Sequence, residues 1–298
     1  MDLNDLHLAV VVARSGSLAA AAQELGLSQP TLSKSVARLE RQLKVRLFER
    51  LARGMRPTEI GRAFLERARG IDLAAADLHA ALRDLRQGRA GVLRLGFGQG
   101  VPDHWLMPVF QALVADGVTL DLQGGMPDLL LPRVATGEIE FALLGVSGAP
   151  GAPLTFEPLR ADPIVPFAPV RHPLARQRSA ITWDQLARAR WIVPPTGTST
   201  RADFDRNFAA RGHRVDPVVV SGATHRELAL ALALDALLLL TRSRIEAPSV
   251  KAGFVPLAPP GGWRSPRRVG LVHRAGGYLS PAAQRAMKLL RQSLAKAA

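Results

Sequence analysis

The stretch SLAAAAQELGLSQPTLSKSVARLERQLKVRLFER, Ser17 to Arg50, decides how the N-terminal part of the chain folds. Ala22, Gly26 and Leu32 fall at helix-turn-helix spacings: a small residue where two helices cross, a glycine for the tight turn and a branched apolar residue beneath the second helix. Ser28 can cap that second helix, and Pro30 is tolerated in its first turn, where an N–H would have had no partner. Leu32, Val36, Leu39 and Leu43 recur at steps of four, three and four, so one stripe is buried. The outer face keeps Gln29, Thr31, Ser33, Lys34, Arg38 and Arg41. An amide there suits adenine, the hydroxyls suit phosphates or base edges, and the cations suit guanine or phosphate.

From Ser28 to Thr58 there are eight Lys or Arg (Lys34, Arg38, Arg41, Lys44, Arg46, Arg50, Arg53, Arg56) against two acids (Glu40, Glu49), a local net of 8 − 2 = +6. An ordinary corner of a helical bundle with a solvated face does not need such density, whereas a phosphate-binding surface does. Leu47 and Phe48 close the small core, and LARGMRPT, Leu51 to Thr58, has the Gly and Pro of a wing. Arg50, Arg53 and Arg56 would then lie along a neighbouring backbone or minor groove. Residues 3 to 13 read as a first helix packed behind the pair, ended by Ser15-Gly16.

Thr58 can cap a long helix running to about Gln87. Within it Phe64, Ala68, Ile71, Ala75, Leu78, Leu82 and Leu85 alternate steps of four and three, the pattern of a coiled-coil seam. A helix of about 28 residues spans about 40 Å, too long to fold back on one small domain, so a dimerisation helix is expected. The competing reading is a single helix packed on the following domain. A dimer would place two recognition helices about one DNA turn or more apart on a roughly two-fold site.

Length and composition agree with this layout. The 298 residues suffice for about two domains, 47% of them apolar and 21% charged. The net charge of +14 favours a polyanionic partner, but 24 basic and 15 acidic groups lie beyond residue 89, so only the local cluster locates DNA. There are no cysteines, which excludes disulfides and thiolate chemistry. The start, MDLNDLHLAVVVARSG, lacks the basic region of a secretory signal. The apolar run Leu228 to Leu240 is broken by Asp235 and is shorter than the roughly 20 residues of a membrane span. A soluble, cytoplasmic protein with no membrane partner is expected.

Gly88-Arg89-Ala90-Gly91 reads as a hinge, after which strands alternate with helices. Val92–Gly98, Val118–Gly125 and Glu140–Val146 read as strands, with helices near Trp105 to Ala115 and Pro127 to Gly137, a β-α-β-α-β run that predicts a parallel sheet. A second set has strands at Asp162–Pro169, Trp191–Pro195, Val218–Gly222 and ALLLLT, and helices at Trp183 to Ala189, Ser199 to Arg211 and from Thr224. Val269–Arg274 and a helix from Ser280 to Ala297 would return to the first half, making two α/β lobes with a cleft between them.

Over essentially its full length the chain resembles the LysR-type transcriptional regulators. SQPTLSKSVARLERQL followed by KVRLFER is the specific part, and RHPLA (Arg171 to Ala175) and LVHR support it more weakly. The resemblance implies an α/β multidomain architecture: a winged helix-turn-helix (1–58), a linker helix (59–87), a hinge (88–91) and a two-lobed periplasmic-binding-protein-like effector domain (92–298). Lobe I would hold about 92–161 and 266–298, and lobe II about 162–265. It implies a sequence-specific regulator that senses a small molecule, such as a small organic acid, and alters promoter activity. Its partners would be a double-stranded DNA operator, further copies of itself as a dimer and tetramer, and RNA polymerase. By position, Gln29, Ser33 and Lys34 match the family's base-edge and phosphate contacts, with Ser28, Thr31, Arg38 and the wing arginines in support.

The family's effector pocket falls by position on Gln99 and Gly100, on Met126, on the loop containing Thr196, Thr198, Ser199 and Thr200, and at Thr224. Helix N-termini there offer free N–H groups, and TGTST is the best such cluster, with a plain helix cap as its competing reading. Three features depart from the family: Gln99 stands where many relatives place a hydroxyl, Leu234-Asp235 replaces a glycine-rich turn, and Thr241 replaces a proline.

An enzyme is not expected, and no cofactor or metal. GFGQG fails the dinucleotide fingerprint because its sixth position is Val101, and GVSGA (Gly145 to Ala149) misses the nucleophile elbow at its last glycine. The seven histidines are scattered singly, without helical metal-ligand spacing. A nucleotide-dependent enzyme or a cytoplasmic small-molecule-binding protein built on the α/β part is the alternative, and the attached DNA-binding unit argues against a solute receptor.

Overall fold

The computed structural model describes residues 1–51, 54–87, 91–222 and 224–296, and it divides into two compact units, Met1–Arg86 and Gln87–Ala298. Arg53 and the hinge residues 88–90 lie outside the described residues, as do the side chains of Leu85 and Thr224.

The first unit starts from a reciprocal cap. The Asp2 carboxylate accepts from Asp5 N and the Asp5 carboxylate from Asp2 N, which starts α1 (Leu3–Ser15); Gly16, left-handed at φ 68°, ends it. Ser17 caps α2 (Leu18–Glu24), and Ser28 caps α3 (Gln29–Leu43) by accepting from Thr31 N. Gly26 takes φ +64° in the turn between α2 and α3, a conformation that strains any residue with a Cβ. Leu32, Val36 and Leu39 point down into a core shared with Leu8, Val12, Ala21, Ala22 and Leu47. The hairpin β1 (Phe48–Arg50) and β2 (Met55–Pro57) is antiparallel, and Met55 N donates to Gly16 O, fixing the wing to the turn after α1. Thr58 then accepts from Gly61 N and starts α4 (Glu59–Gln87), 29 residues long.

At the start of α4, half-buried Phe64 packs against the helix-turn-helix core beside buried Leu65, and Ala68 is 1% exposed, so this end of the expected seam also serves its own unit. Further along, Ile71, Leu78 and Leu82 are exposed and Ala75 is half-buried.

In the second unit β3 (Val92–Gly98), α5 (Asp103–Ala115), β4 (Thr119–Gly125), α6 (Pro127–Ala135) and β5 (Phe141–Val146) form the parallel β-α-β-α-β run. A strand not anticipated follows, β6 (Leu154–Ala161), at the sheet edge. Pro158 inside it argues against a strand, but it sits opposite the register shift at Val269/Gly270, where an irregular edge tolerates the missing N–H. The chain crosses into the second lobe at β7 (Ile164–Pro169), shorter than expected because Asp162 turns inward instead of joining the ladder.

That lobe continues with α7 (Pro173–Arg176), α8 (Trp183–Arg188), β8 (Trp191–Val193), α9 (Ser199–Ala209), β9 (Val219–Val220), α10 (Thr224–Leu234) and β10 (Leu237–Thr241). A 3-10 turn (Arg242–Glu246), α11 (Pro248–Lys251) and the short strand β11 (Phe254–Pro256) complete it. β12 (Arg268–Arg274) returns to the first lobe between β5 and β6, antiparallel to both, and α12 (Pro281–Lys296) packs on α5. The described sheets run β4-β3-β5-β12-β6 and β11-β7-β10-β8-β9. Trp105 and Leu113 with Leu290 and Leu294 fill the first core, and Trp191, Phe204 and Phe208 with Trp263 fill the second.

Asp162 and Arg267 stand where the chain leaves and re-enters the first lobe. The Arg267 Nη1 to Asp162 Oδ2 distance is 2.9 Å, both side chains are buried, and Asp162 also accepts from the Ser243 N–H and hydroxyl at 2.9 Å each. Burial pulls the Arg267 guanidinium below its ordinary pKa, and the Asp162 charge and hydrogen bond oppose that. The guanidinium lies flat on Gly145, where a Cβ would fall inside it. Gly145→Ala should therefore dislodge Arg267 from Asp162 and destabilise the second unit by about 3–5 kcal/mol, the cost of breaking a buried pair. Denaturant unfolding of the full chain checks this, and an unchanged midpoint would refute it.

Candidate nucleic-acid interface and effector cleft

The exposed face of α3 carries Gln29, Thr31, Lys34 and Arg41, with Ser33 half-buried at its edge. Ser28 and Thr31 are tied together at the cap, Oγ to Oγ1 2.7 Å, which holds both hydroxyls at the start of the helix. Arg50 of the wing donates to Ser33 Oγ at 3.2 Å, and Arg56 pairs with Glu49 across the hairpin at 3.1 Å. Helix and wing thus present one continuous polar, basic surface, with the α3 N-terminus adding its free N–H groups.

Arg38 is also engaged inside its own unit. Its guanidinium is paired with the carboxylate of buried Asp5, so its charge is largely answered inside the unit, although the side chain remains half exposed. Burial alone would raise the Asp5 pKa. The Arg38 hydrogen bond, the Asp2 backbone N–H and the nearby positive charges outweigh it and hold the carboxyl below the ordinary aspartate value. Arg38 therefore positions α3 on α1.

Glu40 was legible only as an acid in a basic run. It lies buried under the helix, and its Oε1 accepts from Leu47 N at 2.7 Å and Phe48 N at 3.1 Å, the two backbone donors that open the wing. Lys44, left-handed at φ 56°, ends α3 so that the chain can turn into those contacts.

In the second unit a cavity of about 140 Å3 opens between the two lobes at the carboxyl ends of the parallel strands. The end of β3 contributes Gln99 and Gly100, and the start of α6 contributes Met126. The loop into α9 contributes Thr198, Ser199 and Thr200. These six are expected residues, while Thr196 is exposed at the start of its loop and takes no part in the lining. Thr198 is also the α9 cap, accepting from Arg201 N at 3.3 Å and donating to Pro195 O at 2.9 Å. Its hydroxyl is committed to the backbone, and Ser199 and Thr200 carry the free part of that cluster.

Reading the sequence missed the charged floor of the cleft: Glu227 on α10, Arg244 in the 3-10 turn, and Arg267. Arg244 and Arg267 sit in irregular segments between elements, where no periodicity points inward. Glu227 is raised above the ordinary glutamate value by burial, which the Arg244 charge and a Ser221 hydrogen bond only partly offset. Thr241, in the place of a proline, donates to Gly100 O at 3.2 Å across the lobes. Among the described residues no group of three or more His, Asp or Glu could hold a metal ion, and no described helix is long and apolar enough to cross a membrane.

Residues 3–62 match the family model described as bacterial regulatory helix-turn-helix protein, lysR family, and residues 86–295 match the LysR substrate binding domain. The chain belongs to the LysR family. This LysR regulator is 32% identical over 292 residues to the SDS degradation transcriptional activation protein of a Pseudomonas strain, covering 95% of this chain and 93% of that one. It is 31% identical over 217 residues to the RuBisCO operon transcriptional regulator of Allochromatium vinosum, covering 72% of this chain and 71% of the relative. Among solved structures it is similar to a full-length OxyR variant from Pseudomonas aeruginosa, with TM-score 0.62 and 23% identity over 99% of this chain and 94% of that one, a likeness of fold. The protein is a DNA-binding transcriptional regulator with a C-terminal small-molecule-sensing domain, of a family whose members are regulators and not enzymes.

Glu40→Ala should leave the Leu47 and Phe48 N–H groups buried without acceptors. The expected loss of stability in the LysR regulator's first unit is about 1–3 kcal/mol, with weaker DNA binding as the wing loosens. Thermal unfolding and duplex titration of the same variant check both, and wild-type stability would refute the anchoring role.

Proposed function

We propose that residues 1–58 read a duplex operator through Gln29, Ser33 and Lys34 on α3, with Ser28 and Thr31 at its cap and Arg50, Arg53 and Arg56 of the wing on the flanking backbone. Residues 59–87 join two chains, and residues 92–298 convert occupation of the cleft into a change at the promoter. The observation that carries this reading is the Arg50–Ser33 contact, which joins the wing's cation to the polar face of α3 in one surface. That arrangement supports a helix in the major groove with a cation reaching the adjacent phosphates.

The exposed apolar side chains Ile71, Leu78 and Leu82 on α4 support a dimer formed along the later part of the helix. Pairs of such dimers make a tetramer that binds upstream of a promoter in the cytoplasm and contacts RNA polymerase. The cavity's dimensions and the Arg244 cation in its lining support a small organic acid as effector, with Ser199 and Thr200 at the start of α9 among its contacts.

Lys34→Ala is expected to weaken operator binding and to flatten the slope of log affinity against log salt by about one unit for each phosphate that Lys34 neutralises. Fluorescence titration across a salt series measures it, and an unchanged slope would mean that Lys34 meets no phosphate. Leu78→Asp is expected to shift the first oligomerisation step to higher protein concentration in sedimentation experiments. An unaltered sedimentation profile would place the dimer contact elsewhere.

A further inference from the structure

Two buried polar atoms in the cleft have no hydrogen-bond partner among the described residues: Gln99 Oε1 and Arg244 Nε. Leaving such atoms unpaired in a folded domain is costly, and both line the same cavity. They belong to opposite lobes, Gln99 to the loop after β3 and Arg244 to the 3-10 turn after β10. One is an acceptor on a neutral amide and the other a donor on a permanent cation.

The surrounding charges sharpen what could satisfy them. Arg267 is already neutralised by Asp162 at 2.9 Å, and Glu246, beside Arg244 in the chain, is engaged by His104 at 2.9 Å. Asp128 is exposed at the rim. The carboxyl facing Arg244 is Glu227, which burial holds above the ordinary glutamate value while the Arg244 charge opposes that. The Arg244 Nε remains a buried donor on a cation with no acceptor. Gln99, being neutral, suits a neutral donor; an ammonium placed against it would stay buried without a countercharge. The cavity is about 140 Å3, close to the roughly 150 Å3 of an apolar cavity that admits benzene, so the occupant has on the order of six to eight heavy atoms.

We propose that the effector is a compact hydroxy acid that bridges the lobes, its carboxylate on Arg244 and its hydroxyl donating to Gln99 Oε1. This rests on the reading of the cleft as the effector site and names the class of effector. A ligand that satisfies one atom from each lobe binds the closed cleft better than an open one, and that difference is what shifts the equilibrium between the two.

Calorimetric titration of the full-length protein with the isomeric hydroxybutyrates, butyrate, the corresponding aminobutyrates and succinate tests it. At least one hydroxybutyrate should bind tenfold or more tightly than each of the others. Gln99→Leu should bring the hydroxybutyrate down to the affinity of butyrate, and Arg244→Met should abolish binding of every acid. Independently of any ligand, Gln99→Leu should raise the Tm of the free protein, because it removes a buried acceptor that has no donor. Butyrate, an aminobutyrate or succinate matching the hydroxybutyrates, or a hydroxyl preference that survives Gln99→Leu, would overturn the hydroxy-acid assignment while leaving an acid-sensing cleft. Failure of every acid to bind would overturn the hydroxy-acid proposal and the organic-acid reading of the cleft together.

Discussion

The buried pair of Asp162 and Arg267 sets the geometry on which the sensing domain depends. The two residues mark the points where the chain leaves the first lobe and comes back, so a single ion pair ties both crossings together. Ser243 hangs from the same carboxylate through its N–H and hydroxyl, and Thr241, two residues earlier, donates to Gly100 O, so the end of β10 is held to the crossing on one side and to the first lobe on the other. A buried pair of this kind contributes little net stability compared with apolar residues of the same shape, but a mispaired version is strongly penalised. Any arrangement of the two lobes that separates Asp162 from Arg267 at the crossing therefore carries a large penalty.

Much of the architecture was legible in the sequence because periodic burial leaves a periodic trace. The stripe Leu32, Val36, Leu39 and the turn glycine Gly26 define α3 and its angle to α2, and the terminal glycines of β3 and β4 with the apolar run of β5 mark the strands of the first sheet. Edge elements were harder to see. β6 carries Pro158 and polar residues because one side of an edge strand is unpaired, and β11 has three residues, too few for any alternation to show.

The sites divide in the same way. Ser28, Gln29 and Lys34 were legible as an exposed polar face because a helix that packs on one side leaves the other to solvent. The roles of Glu40, Arg38, Arg244 and Arg267 depend on partners far away in sequence: Glu40 on the wing backbone, Arg38 on Asp5, and Arg267 on Asp162. Spacing carries no information about such pairs. Phe64 and Ala68 pack within their own unit as well, because a heptad pattern records which side of a helix is apolar but not whether that side meets its own domain or a second chain.

The wing's attachment through Glu40 bears on how an operator is chosen. One carboxylate on the recognition helix takes the first two wing N–H groups, and Gly16 takes the N–H of Met55 on the returning strand, so wing and helix form a single stiff body. A stiff body offers little adjustment to local variation in groove width or twist, so the duplex must supply it. Sequences at positions the protein never touches would then enter the affinity through how easily the DNA bends, wherever the bound duplex has to curve.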